Sequence, residues 1–416
     1  MLYDIIIIGG GPSGMMAAYS ALKENKKQKI ALLEKNNKLG NKLLLTGGGR
    51  CNITNTLNIK EQIKLYSNKN HIKPALHTLT NQDLLKIFEK ENISFKTEEK
   101  GKIYPKTEKS ETIKETLEKL IETIDIYLNS KVKTIEKDEK QFTVKTKDKT
   151  FKTKKVIIAC GGITYPKTGS NGDGYRLAKS LKHNISNIKP GLASLKVEDE
   201  ELRKLSGLKL KNVSTPFKST KRINEIDDVL ITHLGLSGPG IINLSSKIME
   251  NMDYDLLKDD EFKETIISID FIPKLNSEEL KSKIENDIKN HGKLKIKTYL
   301  KEYMPFKFIN YFTKRININL DITLSEIRRK DKNKIIENLK KLDFKVKDII
   351  IEDAKITIGG INIEEINNKT LESKIVPNLY FAGEILDSVG PTGGFNLQLA
   401  FSTGYLAGYC ASRDLS

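Results

Sequence analysis

Three glycines near the start of the chain have a spacing that could bind a pyrophosphate. Gly9, Gly11 and Gly14 form the pattern Gly-x-Gly-x-x-Gly. In this pattern the first glycine permits a tight turn, the second lets the backbone approach a pyrophosphate, and the third lets a helix pack close to a strand. The helix that follows would offer free N–H groups and the positive end of its dipole to the phosphates. The spacing therefore predicts a dinucleotide-binding turn.

The elements on both sides of these glycines suit such a turn. Residues 2–8 form an apolar run rich in β-branched residues, and residues 15–22 are helix-like. A second apolar run, residues 30–33, leads directly into Glu34. An acid at that place can accept hydrogen bonds from a ribose 2′-OH, which favours FAD or NAD over NADP. The alternative is an ordinary β-α-β unit that carries an acid there by chance, because a lone glycine pattern is weak evidence.

Two further glycine-rich stretches could approach a ligand. Residues 46–52 hold three consecutive glycines beside Arg50 and Asn52. This loop could be a flexible surface turn, but its flanking apolar residues and the arginine favour a cofactor contact. Gly161 and Gly162 follow an apolar strand, at the edge where open α/β sheets bind ligands. We expect Arg50 and Asn52 to contact the cofactor rather than to act as acid–base groups.

The C-terminal end offers a second combination of strand, turn and helix. A strand near residues 378–382 ends in Gly383-Glu384, and a glycine loop at 390–394 precedes a helix of small residues. This arrangement resembles flavoproteins of the glutathione-reductase type, in which the acid binds the ribityl chain and the helix N-terminus faces the flavin pyrimidine. A helix dipole at that place would stabilise the negative charge of a reduced flavin near N1 and O2. The alternative is a buried C-terminal helix without a ligand.

The length of 416 residues and the changes of periodicity predict two or three domains. Beyond Pro190 apolar and polar residues alternate, which predicts half-buried antiparallel strands. Helical spacing follows Pro273, with a helix predicted to start at Asn276 and an amphipathic stretch over 324–342. Residues 57–125 are predicted to be mainly helical, with a short strand at 101–105. From Lys355 onward the strand-and-turn pattern of the first part returns.

Lysine dominates the charge of the chain. There are 71 Lys+Arg against 54 Asp+Glu, a net charge of +17, yet only eight of the 71 are Arg. Nucleic-acid readers use Arg for bidentate contacts, so a lysine excess spread over the surface indicates solubility and composition bias, and a nucleic-acid partner is not expected.

The cysteines and the N-terminus bear on compartment. The three cysteines are far apart and form no Cys-x-x-Cys pair, which argues against a dithiol relay, a disulfide framework or a metal site and suits a reducing cytoplasm. A strand that begins at the second residue leaves no room for a targeting segment. The three glycines and Pro12 argue against a membrane span over residues 5–22.

The chain closely resembles the bacterial BaiN-type NAD(P)/FAD-dependent oxidoreductases over nearly its whole length. The resemblance rests on these motifs: Gly9-x-Gly11-x-x-Gly14, Thr46-Gly-Gly-Gly-Arg-Cys-Asn52, Gly161-Gly162 with Tyr165-Pro166-x-Thr168-Gly169, Thr232-His233-x-Gly235-x-Ser237-Gly238-Pro239, Thr357-x-Gly359-Gly360, and Phe381-Ala-Gly-Glu384 with Gly393-Gly394-Phe395-Asn396. Together these motifs are very specific.

The resemblance implies an α/β fold with three parts: a Rossmann-like FAD-binding domain from both chain ends, an inserted antiparallel β-barrel-like domain, and a small helical domain. The predicted boundaries are 1–190 for the first part of the FAD-binding domain, 191–272 for the inserted domain, 273–345 for the helical domain, 346–354 for a return to the barrel or a linker, and 355–416 for the second part of the FAD-binding domain.

The expected function is that of an FAD-dependent oxidoreductase. The resemblance implies an NAD(P)H-linked reductase of an unsaturated cyclic, steroid-type enone through flavin N5. The alternatives are an oxygen-using oxidase of a small amine, or an RNA-binding flavoprotein that modifies tRNA. No second Gly-x-Gly-x-x-Gly is present for a nicotinamide domain, so NADH or NADPH would bind transiently, dock at the flavin face, or be absent.

His233 is a possible substrate contact, although a lone histidine is more often structural.

The predicted cofactor-binding residues come from these motifs and from the resemblance. The predicted cofactor-binding residues are Gly9, Gly11, Ser13, Gly14, Glu34, Lys35, Lys42, Thr46, Gly48, Arg50, Asn52, Val132, Gly161, Gly162, Gly383, Glu384, Gly393, Gly394, Phe395, Asn396 and Leu397.

Overall fold

The computed structural model describes residues 2–218, 222–251 and 265–413. The chain forms two compact units, one made of Met1–Pro190 with Lys355–Ser416 and the other of Gly191–Ala354. The first unit therefore contains both ends of the chain. Parts of the predicted inserted domain, residues 219–221 and 252–264, lie outside the described residues.

The first segment of the chain alternates strands with helices. Its strands are β1 (Leu2–Ile8), β2 (Ile30–Leu33), β3 (Thr54–Asn55), β4 (Phe95–Thr97), β5 (Lys102–Pro105), β6 (Asp125–Tyr127), β7 (Thr134–Lys137), β8 (Phe142–Lys145), β9 (Thr150–Ile158) and β10 (Lys189–Gly191). Its helices are α1 (Pro12–Glu24), α2 (Ile59–Lys64), α3 (Lys69–Thr78), α4 (Asn81–Glu89), α5 (Ser110–Leu120) and α6 (Asp173–Ser180), with 3₁₀ turns at Leu43–Gly48, Glu99–Gly101 and Pro166–Thr168.

The stretch predicted to be mainly helical, residues 57–125, is correct in part. It contains α2 to α5, and the predicted short strand is β5. The prediction missed that β5 pairs with β3 on one side and β4 on the other in a three-stranded antiparallel sheet. These strands are only two to four residues long, too short to produce a readable alternation.

The second unit has these strands: β11 (Ser194–Val197), β12 (Lys209–Ser214), β13 (Phe217–Lys218), β14 (Arg222–Ile223), β15 (Ile226–Ile231), β16 (Gly235–Ser237), β17 (Ile266–Ile269) and β18 (Leu342–Ile350). Its helices are α7 (Glu200–Arg203), α8 (Pro239–Asn251), α9 (Ser277–His291), α10 (Ile296–Tyr299), α11 (Phe306–Ile316) and α12 (Arg329–Lys340), with 3₁₀ turns at Leu300–Glu302, Leu324–Glu326 and Ile351–Asp353.

The main sheet of the second unit curls back on itself. Its strands follow the order β12-β15-β16-β11-β18-β17, and neighbours are antiparallel. The last strand returns to the first, because the backbones of Ser214 and Asp270 exchange hydrogen bonds of 2.9 and 2.8 Å just beyond β17. The predicted β-barrel-like character of this region is therefore confirmed.

Two helices were predicted between β17 and β18. The start of the first is confirmed, and the end of the second is wrong. Asn276 caps α9 as predicted, and its side chain accepts hydrogen bonds from Glu278 and Glu279 in a capping box. The amphipathic stretch 324–342 is a helix only over α12. It ends before Leu342, which begins β18 and is buried in the sheet.

The chain then returns to the first unit through β19 (Ile356–Ile358), a 3₁₀ turn at Ile363–Glu365, β20 (Leu379–Phe381) and α13 (Phe395–Ala411). Among the described residues, no helix combines the length and the apolar character that a bilayer crossing requires.

The main sheet of the first unit is built around β1 and β9. Strands β6, β2, β1 and β9 lie side by side in parallel. Along one side of β9, the antiparallel β8 pairs with residues 150–153, and the parallel β20 pairs with residues 156–158. The last strand of the chain thus enters the sheet beside the first β-α-β unit, which confirms the predicted Rossmann-like α/β fold.

Candidate cofactor-binding site

The turn between β1 and α1 needs glycine at two of its three patterned positions. Gly9 has a φ of +108°, and a Cβ there would lie 2.5 Å from the carbonyl oxygen of Ala159. A Cβ on Gly14 would lie 1.9 Å from the carbonyl oxygen of Gly9. Both distances are far below van der Waals contact, so a side chain at either position would force strand and helix apart. The packing of the turn accounts for these two glycines without a ligand.

Gly11 differs, because the protein leaves room for a side chain there. Its φ of −79° suits any residue, and no heavy atom lies within 4 Å of a Cβ placed on it. Gly11 is also the N-cap of α1, and Pro12 begins the helix. The unpaired N–H groups of the first helical turn lie at the same end of α1, where an anion would bind.

The two ends of the chain meet where α1 packs against α13. A Cβ on Gly404 would lie 2.2 Å from the carbonyl oxygen of Ser13, and a Cβ on Gly408 would lie 2.0 Å from that of Ala17. The second contact lies four residues after the first in both helices, so α1 and α13 run parallel. Gly404 is eight residues further into its helix than Ser13. At 1.5 Å per residue, the N-terminus of α13 therefore projects about 12 Å beyond that of α1.

A cavity lies at these two helix N-termini, with about 1330 Å³ of space free of protein atoms, part of it open to solvent. Its lining includes residues 11–13 at the start of α1 and residues 396–397 at the start of α13, so one extended ligand in it would meet both helix N-termini. Twelve of the predicted cofactor-binding residues line it: Gly9, Gly11, Ser13, Glu34, Lys35, Lys42, Thr46, Val132, Gly161, Glu384, Asn396 and Leu397.

The other nine predicted residues are not among those that line the cavity: Gly14, Gly48, Arg50, Asn52, Gly162, Gly383, Gly393, Gly394 and Phe395. Several of them shape the backbone nearby. A Cβ would lie 2.0 Å from Thr357 Oγ1 at Gly162, and 2.4 Å from the Thr54 carbonyl oxygen at Gly394. Phe395 is buried with its ring edge-on to Tyr66. A direct contact between these nine residues and a cofactor stays a prediction.

Arg50 is held by acids of the protein itself. Its Nη1 lies 2.9 Å from Glu98 Oε1 and 3.3 Å from Glu108 Oε1. The guanidinium also stacks on Tyr104, 4.3 Å from the ring centre. The predicted cofactor contact of Arg50 would have to form in addition to these interactions. Asn52, two residues further along the chain, is buried. Within the described part of the chain its Oδ1 has no hydrogen-bond partner.

The buried carboxylate of Glu34 organises the glycine turn. Its Oε2 accepts a hydrogen bond of 2.7 Å from the Gly10 N–H, and its Oε1 accepts bonds of 2.8 and 2.7 Å from the backbone and side-chain amides of Asn36. Each carboxylate oxygen can accept two hydrogen bonds, so Oε2 keeps one site for a ligand hydroxyl.

Replacing Glu34 by Ala should weaken FAD binding by about 1–3 kcal/mol, because a ligand hydroxyl loses its acceptor and the Gly10 N–H loses its partner. The measurement is a fluorescence titration of the deflavinated protein with FAD. Glu34→Gln, which keeps the shape and one acceptor oxygen, should lie between the wild type and Glu34→Ala. An unchanged dissociation constant for Glu34→Ala would remove Glu34 from the site.

An ion pair joins the two ends of the chain at the cavity wall. Lys42 Nζ lies 2.6 Å from Glu384 Oε2 and donates a hydrogen bond of 2.8 Å to Thr164 Oγ1. The other oxygen of Glu384 accepts a hydrogen bond of 2.8 Å from the Thr357 N–H. The side chains of Lys42 and Glu384 are only 24% and 22% exposed. This network fixes the direction of the Glu384 carboxylate.

A second cluster at the cavity wall joins Lys35 and Lys131 to Asp173. Lys35 Nζ lies 2.6 Å from Asp173 Oδ2, and Lys131 Nζ lies 3.0 Å from Oδ1. Burial alone would raise the pKa of Asp173, but the hydrogen bonds from the two lysines outweigh it and lower the pKa. Asp173 is therefore ionised at neutral pH and holds both ammonium groups.

Two buried oxygen atoms of the cavity lining lack a partner within the described residues. They are Asn41 Oδ1 and Ser170 Oγ. Buried polar atoms are normally hydrogen-bonded, so such a pair is an arrangement that a polar ligand completes. The predicted site residues do not include Asn41 and Ser170. The available signal was their place in glycine-containing loops that follow strands of the sheet.

The three cysteine thiols have raised pKa values. Burial raises the pKa of the Cys51 and Cys160 thiols to about 12 and that of Cys410 to about 11. Cys160 lines the cavity, and its Sγ donates a hydrogen bond of 3.4 Å to the Ile8 carbonyl oxygen. The nucleophile is the thiolate, so these thiols are protonated and unreactive near neutral pH.

Native protein treated with iodoacetamide at pH 8 should therefore stay unmodified over an hour. Mass spectrometry of the intact chain would measure the adducts, and the same treatment in 6 M guanidinium should add three. Rapid alkylation of one cysteine in the native protein would contradict this expectation.

His233, the predicted substrate contact, is exposed in a tight turn between β15 and β16. The backbones of Thr232 and Gly235 exchange hydrogen bonds of 2.7 and 3.2 Å across this turn. The residue belongs to the second unit, whereas the cavity is lined by residues of the first. A contact between His233 and a substrate stays a prediction.

Known proteins resemble the chain over nearly its whole length. A 3-dehydro-bile acid delta(4,6)-reductase of Clostridium scindens is 28% identical over 98% of this chain and 98% of its own. A ribosomal RNA dihydrouridine synthase of Escherichia coli is 28% identical over 97% of this chain and 96% of its own. Among solved structures, a chain of the E. coli quinol fumarate reductase has a TM-score of 0.52 at 15% identity, over 99% of this chain and 70% of that one, a likeness that concerns the fold alone.

Residues 3–410 match the family described as HI0933-like protein Rossmann domain. This match confirms the predicted resemblance and agrees with the dinucleotide-type turn and the cavity that both chain ends build. The chain belongs to the HI0933-like family and is an FAD-dependent oxidoreductase.

Proposed function

We propose that the chain reduces a carbon–carbon double bond conjugated to a ring carbonyl, with FAD bound in the cavity of the first unit. The observation that carries the placement of FAD is the offset of two parallel helices. The N-termini of α1 and α13 open on one cavity, about 12 Å apart along the helix direction. The first suits the pyrophosphate and the second the flavin pyrimidine, with the ribityl chain spanning the gap.

The chain's own residues would bind and orient the cofactor. Glu34 would accept a hydrogen bond from the adenosine ribose, and Gly11 would leave space for the pyrophosphate. Glu384, held by Lys42, would meet the ribityl hydroxyls. When bound, FAD supplies hydride transfer at N5. The N–H groups in the first turn of α13 would stabilise negative charge near N1 and O2.

The substrate class is supported by the names of the relatives. A delta(4,6)-reductase of a 3-dehydro-bile acid saturates double bonds conjugated to a ring ketone, and a dihydrouridine synthase saturates the double bond of uracil, which is conjugated to a ring carbonyl. Both names therefore describe one type of bond. The first substrate we propose is a small cyclic enone of the steroid type, with NADH or NADPH as a transient electron donor.

Anaerobic mixing of the FAD-loaded protein with each candidate reductant tests this function. NADH or NADPH should bleach the flavin absorbance. A 3-oxo-4,6-diene steroid added next should restore the flavin absorbance, while the absorbance of the steroid's conjugated diene falls. Bleaching by a primary amine, with no response to NAD(P)H, would instead support an oxidase. A correctly folded protein that binds no FAD would overturn the proposal.

A second candidate substrate is a uridine within RNA. It is favoured by the net charge of +17, and by rRNA dihydrouridine synthases of E. coli and Haemophilus influenzae, each 28% identical to this chain over nearly its full length. The reduced enzyme would be incubated with unmodified rRNA transcripts, and nucleoside mass spectrometry would detect dihydrouridine. Its formation, with no turnover of the enone, would assign RNA as the substrate.

A further inference from the structure

The positive charge of the second unit is concentrated in one stretch. Residues 289–315 hold eight Lys and Arg and a single acid, Glu302. That acid pairs with Lys283 at 3.0 Å. The rest of Gly191–Ala354 holds 23 Lys and Arg against 27 Asp and Glu. The lysine excess is therefore not spread evenly over this unit, as a pure composition bias would require.

Many of these positive charges are available for a partner. Lys314 and Arg315 pair with Glu201 and Asp199. In the described parts of the chain, the six other lysines of this stretch have no carboxylate within ion-pair distance: Lys289, Lys293, Lys295, Lys297, Lys301 and Lys307. Five of the six are exposed, and Lys297 is half-buried. Unpaired lysines at this density are the electrostatic feature that phosphate backbones bind.

An exposed aromatic ring lies beside two of these lysines. Phe306 begins α11 and is 44% exposed. The ammonium groups of Lys297 and Lys301 lie 5.4 and 5.5 Å from the centre of its ring. An exposed ring flanked by cations is the combination with which proteins bind single-stranded nucleic acid, because the cations contact phosphates and a base stacks on the ring.

We infer that this surface binds a single-stranded segment of RNA. The basic-aromatic face consists of Lys293, Lys295, Lys297, Lys301, Phe306 and Lys307. The lysines contact successive phosphates, and one base stacks on Phe306. This inference rests on the RNA candidate of the proposed function and names the surface of the second unit that would hold the strand.

An anionic lipid surface is the poorer partner for this face. Interfacial helices insert a continuous apolar side between the headgroups. The apolar side of α11 is instead buried in the unit, through Phe308, Ile309 and Phe312. Within residues 289–315, all of which the structure describes, only Phe306 and the 37% exposed Leu294 are large exposed apolar side chains, which is too little apolar surface for stable attachment.

The test measures RNA binding by the full-length FAD-loaded protein. The probe is a fluorescein-labelled, single-stranded 20-nucleotide RNA of mixed sequence, followed by fluorescence anisotropy from 50 to 300 mM KCl. The triple variant Lys297→Glu, Lys301→Glu, Lys307→Glu should bind at least tenfold more weakly. The slope of log K against log salt should become less steep by about 2, since three phosphate contacts are lost at about 0.7 each.

A matched control separates the face from net charge. The triple variant Lys26→Glu, Lys27→Glu, Lys147→Glu makes the same charge change at exposed lysines of the first unit. It should bind within threefold of wild type. Phe306→Ala should weaken binding at least fivefold with an unchanged salt slope, and Phe306→Tyr should retain it.

Three results would overturn the inference: no RNA binding by the wild type, equal losses in the two triple variants, or binding to vesicles with 30% phosphatidylserine that competes with RNA. FAD content and NAD(P)H-driven bleaching of the variants are measured in parallel and should be unchanged. RNA binding through this face without formation of dihydrouridine would uphold the inference while refuting the RNA substrate.

Discussion

The Gly11→Ala variant should fold normally and fail to retain FAD. The backbone conformation of Gly11 suits alanine, and no protein atom lies within 4 Å of the added methyl group. The apoprotein should therefore keep its melting temperature within about 2 °C, because a methyl group that meets no protein atom and strains no backbone costs little. The methyl group would occupy the space of the pyrophosphate, so the dissociation constant for FAD should rise at least about 100-fold.

Gly14→Ala is the matched comparison for that prediction. Its Cβ would lie 1.9 Å from the Gly9 carbonyl oxygen, so strand and helix must separate even without a ligand. This variant should lose both stability and FAD, whereas Gly11→Ala loses only FAD. Differential scanning calorimetry of the apoproteins and FAD titrations distinguish the two. A Gly11→Ala protein that binds FAD as tightly as the wild type would place the pyrophosphate elsewhere.

The parts of the fold that the sequence predicts are those set by local spacing. The turn at Gly9 and the capping box at Asn276 depend on residues within a few positions of each other, so their patterns are legible. Alternation likewise predicted the antiparallel strands of the second unit. Local periodicity fails where an element changes type within one apolar run, as at Leu342, because a helix and a strand can both bury that residue.

The parts of the site that the sequence does not predict depend on residues far apart in the chain. The ion pairs of Arg50 involve acids about 50 residues further along, and no spacing rule links them. The pairing of Lys42 with Glu384 crosses most of the chain. The predicted even spread of the lysines likewise rested on residue counts alone, without their positions in space. Charge counts cannot tell which lysines are neutralised, and the unpaired set around Phe306 emerges only from the contacts.

The close packing of α1 on α13 predicts an effect opposite in sign to that of helix propensity. In an ordinary helix interior, Gly→Ala stabilises by about 1 kcal/mol. At Gly408 the new Cβ would lie 2.0 Å from the Ala17 carbonyl oxygen, so α13 must move away from α1 by about 1 Å, and such overpacking costs about 1–3 kcal/mol or more. Urea unfolding of apo Gly408→Ala should show a net loss of stability, and FAD affinity should fall because the two helix N-termini shift relative to each other.

Gly404→Ala, with its Cβ 2.2 Å from the Ser13 carbonyl oxygen, should behave in the same way as Gly408→Ala. A gain of about 1 kcal/mol in both variants would mean that propensity alone governs these positions. The helices would then not be in backbone contact, and the offset that positions the pyrophosphate and the flavin would lose its basis.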